Sequence, residues 1–176
     1  MNIVLIGYRC TGKTTVGKSL AQKQGWVFVD TDEVLIKNSG RTVRDIVAKD
    51  GWEAFRKMEH DTIVAVCRQE RRVIATGGGA VIDPANVAAM RKSGRVVWLK
   101  ARPETIRARM TADDETDILR PSLTQTGLYE EIENVLSERA AGYGGAADFS
   151  IDTDQRTIVE IVYEIVRATD FAGDER

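Results

Sequence analysis

The chain has 176 residues, of which 43% are hydrophobic and 30% are charged, and its formal net charge is −2. This length fits one domain with its own core, and the composition is typical of soluble globular proteins. The near-neutral charge excludes a strongly basic surface for nucleic acid or anionic lipid, and no apolar run approaches the ~20 residues that span a bilayer. The two cysteines are too few for a disulfide framework, and the N-terminus lacks the pattern of a signal peptide, so we expect a cytoplasmic protein.

The first strand, loop and helix carry the most specific motif of the chain. The apolar run Asn2–Ile6 predicts a buried strand, and Gly7–Thr14 form the pattern G-x-x-x-x-G-K-T before a helix near 13–24. Such a loop turns its backbone N–H groups toward a phosphate, and the helix adds the positive end of its dipole. We expect Lys13 at the β- and γ-phosphates and the Thr14 hydroxyl on Mg²⁺, so the motif predicts binding of a nucleoside triphosphate. A plain glycine-rich turn would give no reason for Lys-Thr at this offset.

Two carboxylates follow the second predicted strand, Trp26–Val29. Asp30 and Asp32 are two residues apart and therefore leave the strand on one face, next to the phosphate loop. One could hold Mg²⁺ through water, and the other could accept a hydrogen bond from a substrate hydroxyl. Alternatively, Asp30 or Thr31 simply caps the helix predicted near 31–38.

An arginine and a glycine cluster mark the middle of the chain. Helices are predicted near 42–49 and 52–70, and Arg56 falls on the inward face of the second one. Three consecutive glycines, Gly77–Gly79, follow the predicted strand Arg72–Ala75. A turn needs only one or two glycines, and each costs backbone entropy, so we expect a substrate-facing loop with bare N–H groups rather than a plain turn.

A polar segment interrupts the regular pattern after helices near 84–92 and 103–110, which flank the predicted strand Arg95–Leu99. The segment at about 111–124 is acidic at first, has no core periodicity and contains Arg120. It is either a solvated surface loop or a lid that closes over the phosphates and brings Arg120 to them.

A second inward-facing arginine lies in the last third of the chain. Helices are predicted near 127–141 and 155–169 around the strand Asp148–Ile151, and Arg139 follows the apolar stripe of the first helix, four residues after Val135. An arginine on an inward face either pairs with an acid or binds an anion. Two such arginines at the strand ends would favour a substrate that carries a carboxylate.

The alternation of strands and helices contains no internal repeat and no linker. With the phosphate-loop motif, it predicts one α/β domain over residues 1–176 of the P-loop NTPase type, with a parallel five-stranded sheet and helices on both faces. If the polar segment at about 111–124 is not a plain surface loop, it adds a mobile lid to this domain. In such a fold the ligands bind at the carboxyl ends of the strands.

Together these motifs resemble the shikimate kinase family across nearly the whole chain. The matching pieces, in chain order, are Gly7–Thr15, Asp30–Asp32, Phe55-Arg56, Gly77–Gly79, Arg120-Pro121, Arg139 with Tyr143, and Ile151–Thr153. The resemblance implies that the protein transfers the γ-phosphoryl group of ATP to the 3-hydroxyl of shikimate, with Mg²⁺ as cofactor, in the biosynthesis of aromatic amino acids.

The resemblance also implies roles for individual residues. The implied catalytic residues are Lys13, Asp32 and Arg120, with Asp32 as the candidate base for the attacking hydroxyl. The implied shikimate-binding set comprises Asp32, Arg56, Gly78, Gly79 and Arg139, in which the two arginines grip the carboxylate. The implied nucleotide-binding set comprises Cys10, Thr11, Gly12, Lys13, Thr14, Thr15, Arg109, Arg120 and Arg156. The implied magnesium partners are Thr14 and, through water, Asp30.

Three positions depart from the usual family pattern. Cys10 stands where glycine is usual, Ser122 stands where leucine is common, and the loop Asp152–Thr157 lacks a proline. Alternative functions are another P-loop kinase of small metabolites, such as a gluconate kinase, a nucleoside monophosphate kinase, or a nucleotide-binding regulator without turnover. We expect a monomer whose partners are ATP and shikimate, with neither nucleic acid nor membrane.

Overall fold

The computed structural model describes residues 1–112 and 128–170, except for the side chains of Leu128 and Asp170. The strands are β1 (Asn2–Ile6), β2 (Val27–Asp30), β3 (Arg72–Ala75), β4 (Gly94–Lys100) and β5 (Phe149–Asp152). The helices are α1 (Lys13–Gln24), α2 (Thr31–Ser39), α3 (Val43–Cys67), α4 (Pro84–Ser93), α5 (Pro103–Thr111), α6 (Leu128–Ala146) and α7 (Ile158–Asp170), with a 3₁₀ turn at Ala80–Ile82.

The five strands form one parallel sheet in the order β2-β3-β1-β4-β5. β1 lies at the centre, where Val4 aligns with Ile74 of β3 and with Val96 of β4. The chain order reverses on the two sides of β1, and such a switch point opens a crevice at the carboxyl ends of the strands. The loop that follows β1 therefore emerges in the middle of this crevice, between β3 and β4.

Helices cover both faces of the sheet, as predicted. Alternate side chains of a strand point to opposite faces, and all five residues of β1 are buried, which is typical of a parallel strand between two helical layers. On one face Ile3 and Leu5 pack with residues of α1 and α7. On the other face Val4 and Ile6 pack with residues of α3, α4 and α6.

The structure shifts several predicted boundaries. The helices predicted near 42–49 and 52–70 form a single element, α3, with non-helical backbone at Gly51 (φ 84°, ψ 171°), and a capping box of Thr42 and Asp45 starts it. α6 continues to Ala146 instead of ending near 141. The predicted lid at about 111–124 lies outside the described residues, except for its first two. Within residues 1–112 and 128–170, no helix combines the length and apolarity needed to cross a bilayer.

Candidate active site

The phosphate loop after β1 is held in shape by backbone conformations that favour glycine. Gly7 has φ 142°, and a Cβ there would lie 2.4 Å from the carbonyl oxygen of Leu99, so no side chain fits. Gly12 precedes α1 with φ 97°. Cys10 also has a positive φ of 58°, which is the physical reason why glycine suits this position better than any side chain.

Lys13 folds back across the same loop. Its Nζ donates hydrogen bonds to the carbonyl oxygens of Gly7, at 2.8 Å, and Tyr8, at 2.7 Å. Its side chain is buried beneath the loop. Because α1 begins at Lys13, the ammonium group and the positive end of the helix dipole lie on the same side of the loop. The arrangement provides the positive charge that a phosphate group requires.

Asp30 acts both as a helix cap and as a partner of the phosphate loop, so the two alternatives posed by the sequence are compatible. Its Oδ1 accepts a hydrogen bond from the backbone N–H of Asp32 at 3.0 Å, which caps α2. Its Oδ2 accepts one from the Thr14 hydroxyl at 3.1 Å. Two oxygen ligands therefore meet at the start of α1.

These oxygens suit Mg²⁺, which prefers oxygen ligands and keeps several water molecules or phosphate oxygens in its shell. Among residues 1–112 and 128–170, no group of three or more His, Cys, Asp or Glu side chains could hold a metal ion. An all-protein metal cage is therefore absent from the described part of the chain. Thr14 and Asp30 fit a cation that takes most of its ligands from a nucleotide and from water.

A cavity, here called the acceptor cavity, lies beside the phosphate loop at the carboxyl ends of β1, β2 and β3. Its polar lining consists of three arginines, two carboxylates and the glycine turn, and Trp52 and Phe55 form an aromatic wall. The charged residues are Arg9, Asp32, Arg56, Glu59 and Arg139, and the glycines are Gly77, Gly78 and Gly79. The structure thus brings together every residue of the shikimate-binding set that the resemblance implied.

Arg56 is fixed by three neighbours. Its Nη1 donates to Oε2 of Glu59 at 2.5 Å, and its guanidinium carbon lies 5.5 Å from the ring centre of Trp52 and 5.2 Å from that of Phe55. A Cβ on Gly79 would lie 2.4 Å from Nη2 of Arg56. The guanidinium therefore occupies the space that a side chain at position 79 would need.

Arg139 and Tyr143 of α6 reach the glycine turn from the other side. Nη1 of Arg139 donates to the carbonyl oxygen of Gly78 at 3.1 Å, and the Tyr143 hydroxyl donates to the same oxygen. Burial raises the pKa of Tyr143 to about 12, so the phenol stays protonated and remains a donor at neutral pH. The turn is thereby tied to α6.

Glu59 and Asp32 flank Gly77, since a Cβ on this glycine would lie 2.8 Å from Oε1 of Glu59 and 2.9 Å from Oδ1 of Asp32. Burial raises the pKa of Glu59, although the charge of Arg56 opposes this effect. In the described part of the chain, no group hydrogen-bonds to Oε1 of Glu59. A buried carboxylate oxygen thus faces the cavity beside the candidate base.

A second cavity, here called the nucleotide groove, lies on the other side of the loop. Its polar lining includes predicted nucleotide-binding residues, namely Cys10, Thr11, Gly12, Thr15, Arg109 and Arg156. Arg109 donates to the carbonyl oxygens of Cys10, at 3.2 Å, and Thr153, at 3.1 Å, so it links the loop to the end of β5. Arg156 pairs with Glu164 at 2.5 Å.

The sequence interpretation missed three residues of the acceptor side: Arg9, Glu59 and Glu131. Glu59 lies three residues after Arg56 on α3, a spacing that brings side chains together on a helix and could have revealed the pair. Glu131 forms a buried ion pair with Arg9, and the two are separated by 122 residues, so no local pattern links them. Arg120 lies outside the described residues, and its role stays a prediction.

Comparison with known proteins shows the family of the chain. The family model described as shikimate kinase matches residues 9–170. The chain belongs to the shikimate kinase family. A shikimate kinase of Caldanaerobacter subterraneus subsp. tengcongensis is 41% identical over 167 residues, which cover 95% of each chain. A shikimate kinase of Syntrophus aciditrophicus is 41% identical over 174 residues, which cover 94% of this chain and 89% of the relative.

Solved structures place the fold in the same family. Shikimate kinase from Acinetobacter baumannii in complex with shikimate superposes with a TM-score of 0.90 at 28% identity, covering 99% of this chain and 95% of that one. Shikimate kinase from Aquifex aeolicus gives 0.80 at 30% identity, covering all of both chains. A gluconokinase from Sinorhizobium meliloti gives 0.53 at 15% identity, covering 97% of this chain and 94% of that one. The gluconokinase therefore shares the fold alone.

Proposed function

We propose that this member of the shikimate kinase family transfers the γ-phosphoryl group of ATP to the 3-hydroxyl of shikimate, giving shikimate 3-phosphate and ADP. The observation that carries the proposal is the acceptor cavity, which holds Arg56 and Arg139 together with Asp32 beside the phosphate loop. A small hydroxylated acid needs cationic donors for its carboxylate and an acceptor for its hydroxyl, and the cavity offers both.

On the acceptor side, Arg56 and Arg139 grip the carboxylate of shikimate. Their guanidinium groups offer paired N–H donors whose geometry matches the two oxygens of a carboxylate. Gly78 and Gly79 line the same cavity, and their backbone N–H groups would add neutral donors. Asp32 accepts hydrogen bonds from ring hydroxyls, which orients the one that reacts.

On the donor side, the nucleotide lies in the groove formed by Cys10, Thr11, Gly12, Thr15, Arg109 and Arg156. Lys13 and the N-terminus of α1 hold the β- and γ-phosphates in place. Thr14 and, through water, Asp30 would hold Mg²⁺. When bound, Mg²⁺ neutralises the charge on the phosphate oxygens. Arg120 would add a further positive charge, as the family resemblance implies.

In the reaction, the 3-hydroxyl oxygen of shikimate forms a bond to the γ-phosphorus, and the bond from that phosphorus to the bridging oxygen of ADP breaks. Asp32 takes up the proton of the hydroxyl. Because the transition state is loose, proton removal lags and a carboxylate of ordinary basicity suffices. Positioning and charge neutralisation supply most of the acceleration, so Lys13 contributes more to the rate than the base does.

The proposal is tested by an ADP-release assay with ATP and Mg²⁺, in which shikimate is compared with gluconate, with nucleoside monophosphates and with no acceptor. We expect release that depends on shikimate alone. Release that depends on gluconate or a nucleoside monophosphate would instead assign a rival substrate. Nucleotide binding without turnover for any acceptor would favour a regulatory relative.

We further infer a single domain over residues 1–176 that acts as a cytoplasmic monomer on small-molecule substrates, without nucleic acid or membrane. The formal net charge of −2 supports the absence of a nucleic-acid or anionic lipid partner. Light scattering after gel filtration tests the monomer directly, and a mass of twice the calculated 19.5 kDa would contradict it.

A further inference from the structure

A buried side-chain amide holds the residue that follows the glycine turn. Asn86 belongs to the first turn of α4 and is fully buried. Its Nδ2 donates a hydrogen bond to the carbonyl oxygen of Ala80 at 3.1 Å. Ala80 follows Gly79 directly, and its own N–H donates to the carbonyl oxygen of Gly77 at 3.1 Å. The glycine turn is therefore attached to α4 as well as to α6.

The other end of the same amide meets α3. Oδ1 of Asn86 lies 2.8 Å from Nδ1 of His60. The carbonyl of Ala80 requires the amide nitrogen as its donor, so the amide oxygen is the atom that faces His60, and this oxygen can only accept. Oδ2 of Asp83, at 3.7 Å from the same ring nitrogen, is a second acceptor on that side. Nδ1 of His60 therefore carries the hydrogen.

His60 lies on the helix that supplies an arginine to the acceptor cavity. It follows Arg56 by four residues, about one turn of α3. The guanidinium of Arg56 fills the space in front of Gly79. The two hydrogen bonds from His60 through Asn86 to Ala80 thus connect the helix that carries Arg56 to the turn that Arg56 contacts.

We propose that His60 is a positioning residue of the acceptor cavity, which donates from Nδ1 to Asn86 and so fixes the glycine turn relative to Arg56. Its effect on the substrate rests on the proposed function, in which the carboxylate of shikimate binds beside this turn. A protonated imidazole carries hydrogen on both nitrogens, so Nδ1 remains a donor when the ring becomes charged. The bond to Asn86 therefore does not require a neutral ring.

The first experiment determines which ring nitrogen carries the hydrogen. His60 is the only histidine of the chain, so ¹⁵N labelling of histidine in the full chain, without an added tag, gives ring signals from this residue alone. At alkaline pH the ring is neutral and one nitrogen is protonated, and couplings to the ring hydrogens distinguish Nδ1 from Nε2. We expect the hydrogen on Nδ1. A hydrogen on Nε2 would overturn the proposal, because Nδ1 would then be one acceptor facing another.

Two variants that differ by one methylene group test the positioning. His60→Asn attaches an amide nitrogen to Cγ, as Nδ1 is attached in histidine, whereas His60→Gln places it one atom farther along the side chain. We expect the KM for shikimate to rise about two- to tenfold in His60→Gln, the effect of one neutral hydrogen bond, with kcat little changed. His60→Asn should restore most of the wild-type KM. Lys57→Gln is the matched control, because it introduces the same side chain at an exposed position of α3.

Hydrogen exchange follows the turn itself without any substrate. The N–H groups of Ala80 and Ile82 donate to Gly77 and Gly79, at 3.1 and 3.0 Å. Both should exchange faster in His60→Gln than in His60→Asn, because local opening of the turn becomes easier.

The kinetic outcomes are equally decisive. An unchanged KM in His60→Gln that is folded by circular dichroism, or an equal rise in His60→Asn or in Lys57→Gln, would contradict the proposal. If the wild type does not phosphorylate shikimate, the proposed function is wrong. The protonated nitrogen and the exchange rates would still decide whether His60 holds the glycine turn.

Discussion

Replacing Gly79 by alanine should weaken the binding of shikimate without removing any charge. The backbone φ of Gly79 is −103°, which alanine adopts readily, so the only conflict is with the side chain in front of it. The new Cβ would lie 2.4 Å from Nη2, 2.6 Å from Nη1 and 2.8 Å from Cζ of Arg56. The substitution thus displaces the guanidinium from its place between Glu59 and the aromatic wall.

The size of the effect follows from the required displacement. Non-bonded heavy atoms need about 3.5 Å, so the guanidinium must move by roughly 1 Å. A hydrogen bond between charged groups contributes about 1.5–3 kcal/mol, and each 1.4 kcal/mol is a factor of ten in affinity. We therefore expect the KM for shikimate to rise about ten- to hundredfold in Gly79→Ala. The KM for ATP should change little, since Gly79 does not line the nucleotide groove.

The assay is ADP release at saturating ATP over a range of shikimate concentrations, with thermal unfolding to verify the fold. Gly78→Ala is the comparison within the turn. Its Cβ would make only ordinary contacts, of which the shortest is 3.4 Å to the backbone nitrogen of Arg9, so this variant should raise the KM for shikimate less than Gly79→Ala does. Gly144→Ala on α6 is the matched control, since nothing lies within 4 Å of its Cβ. An unchanged KM in folded Gly79→Ala would refute the proposed grip of Arg56 on the substrate.

Three further predictions concern other parts of the site. Lys13→Met should abolish turnover, because it removes the positive charge at the phosphate loop; steady-state ADP release measures it, and normal kinetics would contradict the assignment. Tyr143→Phe should lower the free energy of unfolding by about 1 kcal/mol in urea titrations, because the hydrogen bond to Gly78 is lost. Since the phenol pKa is about 12, this loss should be the same from pH 6 to 9, and a loss that varies with pH would contradict it. Burial raises the pKa of Glu59 in the folded state above 4.5, its usual value and the one expected in the unfolded state. Between the unfolded-state pKa and the higher folded-state pKa, the folded protein binds more protons than the unfolded protein. The free energy of unfolding of the wild type therefore falls as the pH rises through this range. Glu59→Gln has no carboxyl group at this position and so lacks this pH-dependent decrease. The free energy of unfolding of the variant minus that of the wild type, measured by urea titration, should therefore increase as the pH rises from 4.5. A difference that decreases over this range would contradict the raised pKa.

The features predicted most accurately are those that neighbouring residues determine. The G-x-x-x-x-G-K-T pattern places Lys13 at the start of α1, and the end of the second strand places Asp30 beside it. The helix near 127–141 was predicted too short because Gly142, Gly144 and Gly145 oppose helix formation. Tertiary packing overrides this preference, since Tyr143 and Ala146 are buried in the core between α6 and the sheet.

Residues that only the tertiary fold brings together could not be predicted. The partner of Arg9 lies 122 residues away, on a helix whose inward stripe was identified from its apolar residues and from Arg139 alone. The sequence alone does not predict that a glutamate in this helix is buried, because glutamate side chains are usually exposed to solvent. The crossover order of the strands brings the loop after β1 against α6, and this order depends on the whole sheet rather than on any one segment.

The charges of the acceptor cavity are matched to a small acid that also carries hydroxyl groups. Two of its three arginines have buried glutamate partners, Glu131 and Glu59. Arg139 donates to the uncharged carbonyl of Gly78, and no carboxylate of the described residues lies within ion-pair distance of it. Its charge is therefore available to a substrate carboxylate, and the carboxylate of Asp32 offers an acceptor for substrate hydroxyl groups. A nucleoside monophosphate also carries an anion that a guanidinium binds, so Arg139 alone does not exclude it. Discrimination against it depends on whether a base and a ribose fit between the aromatic wall and the glycine turn.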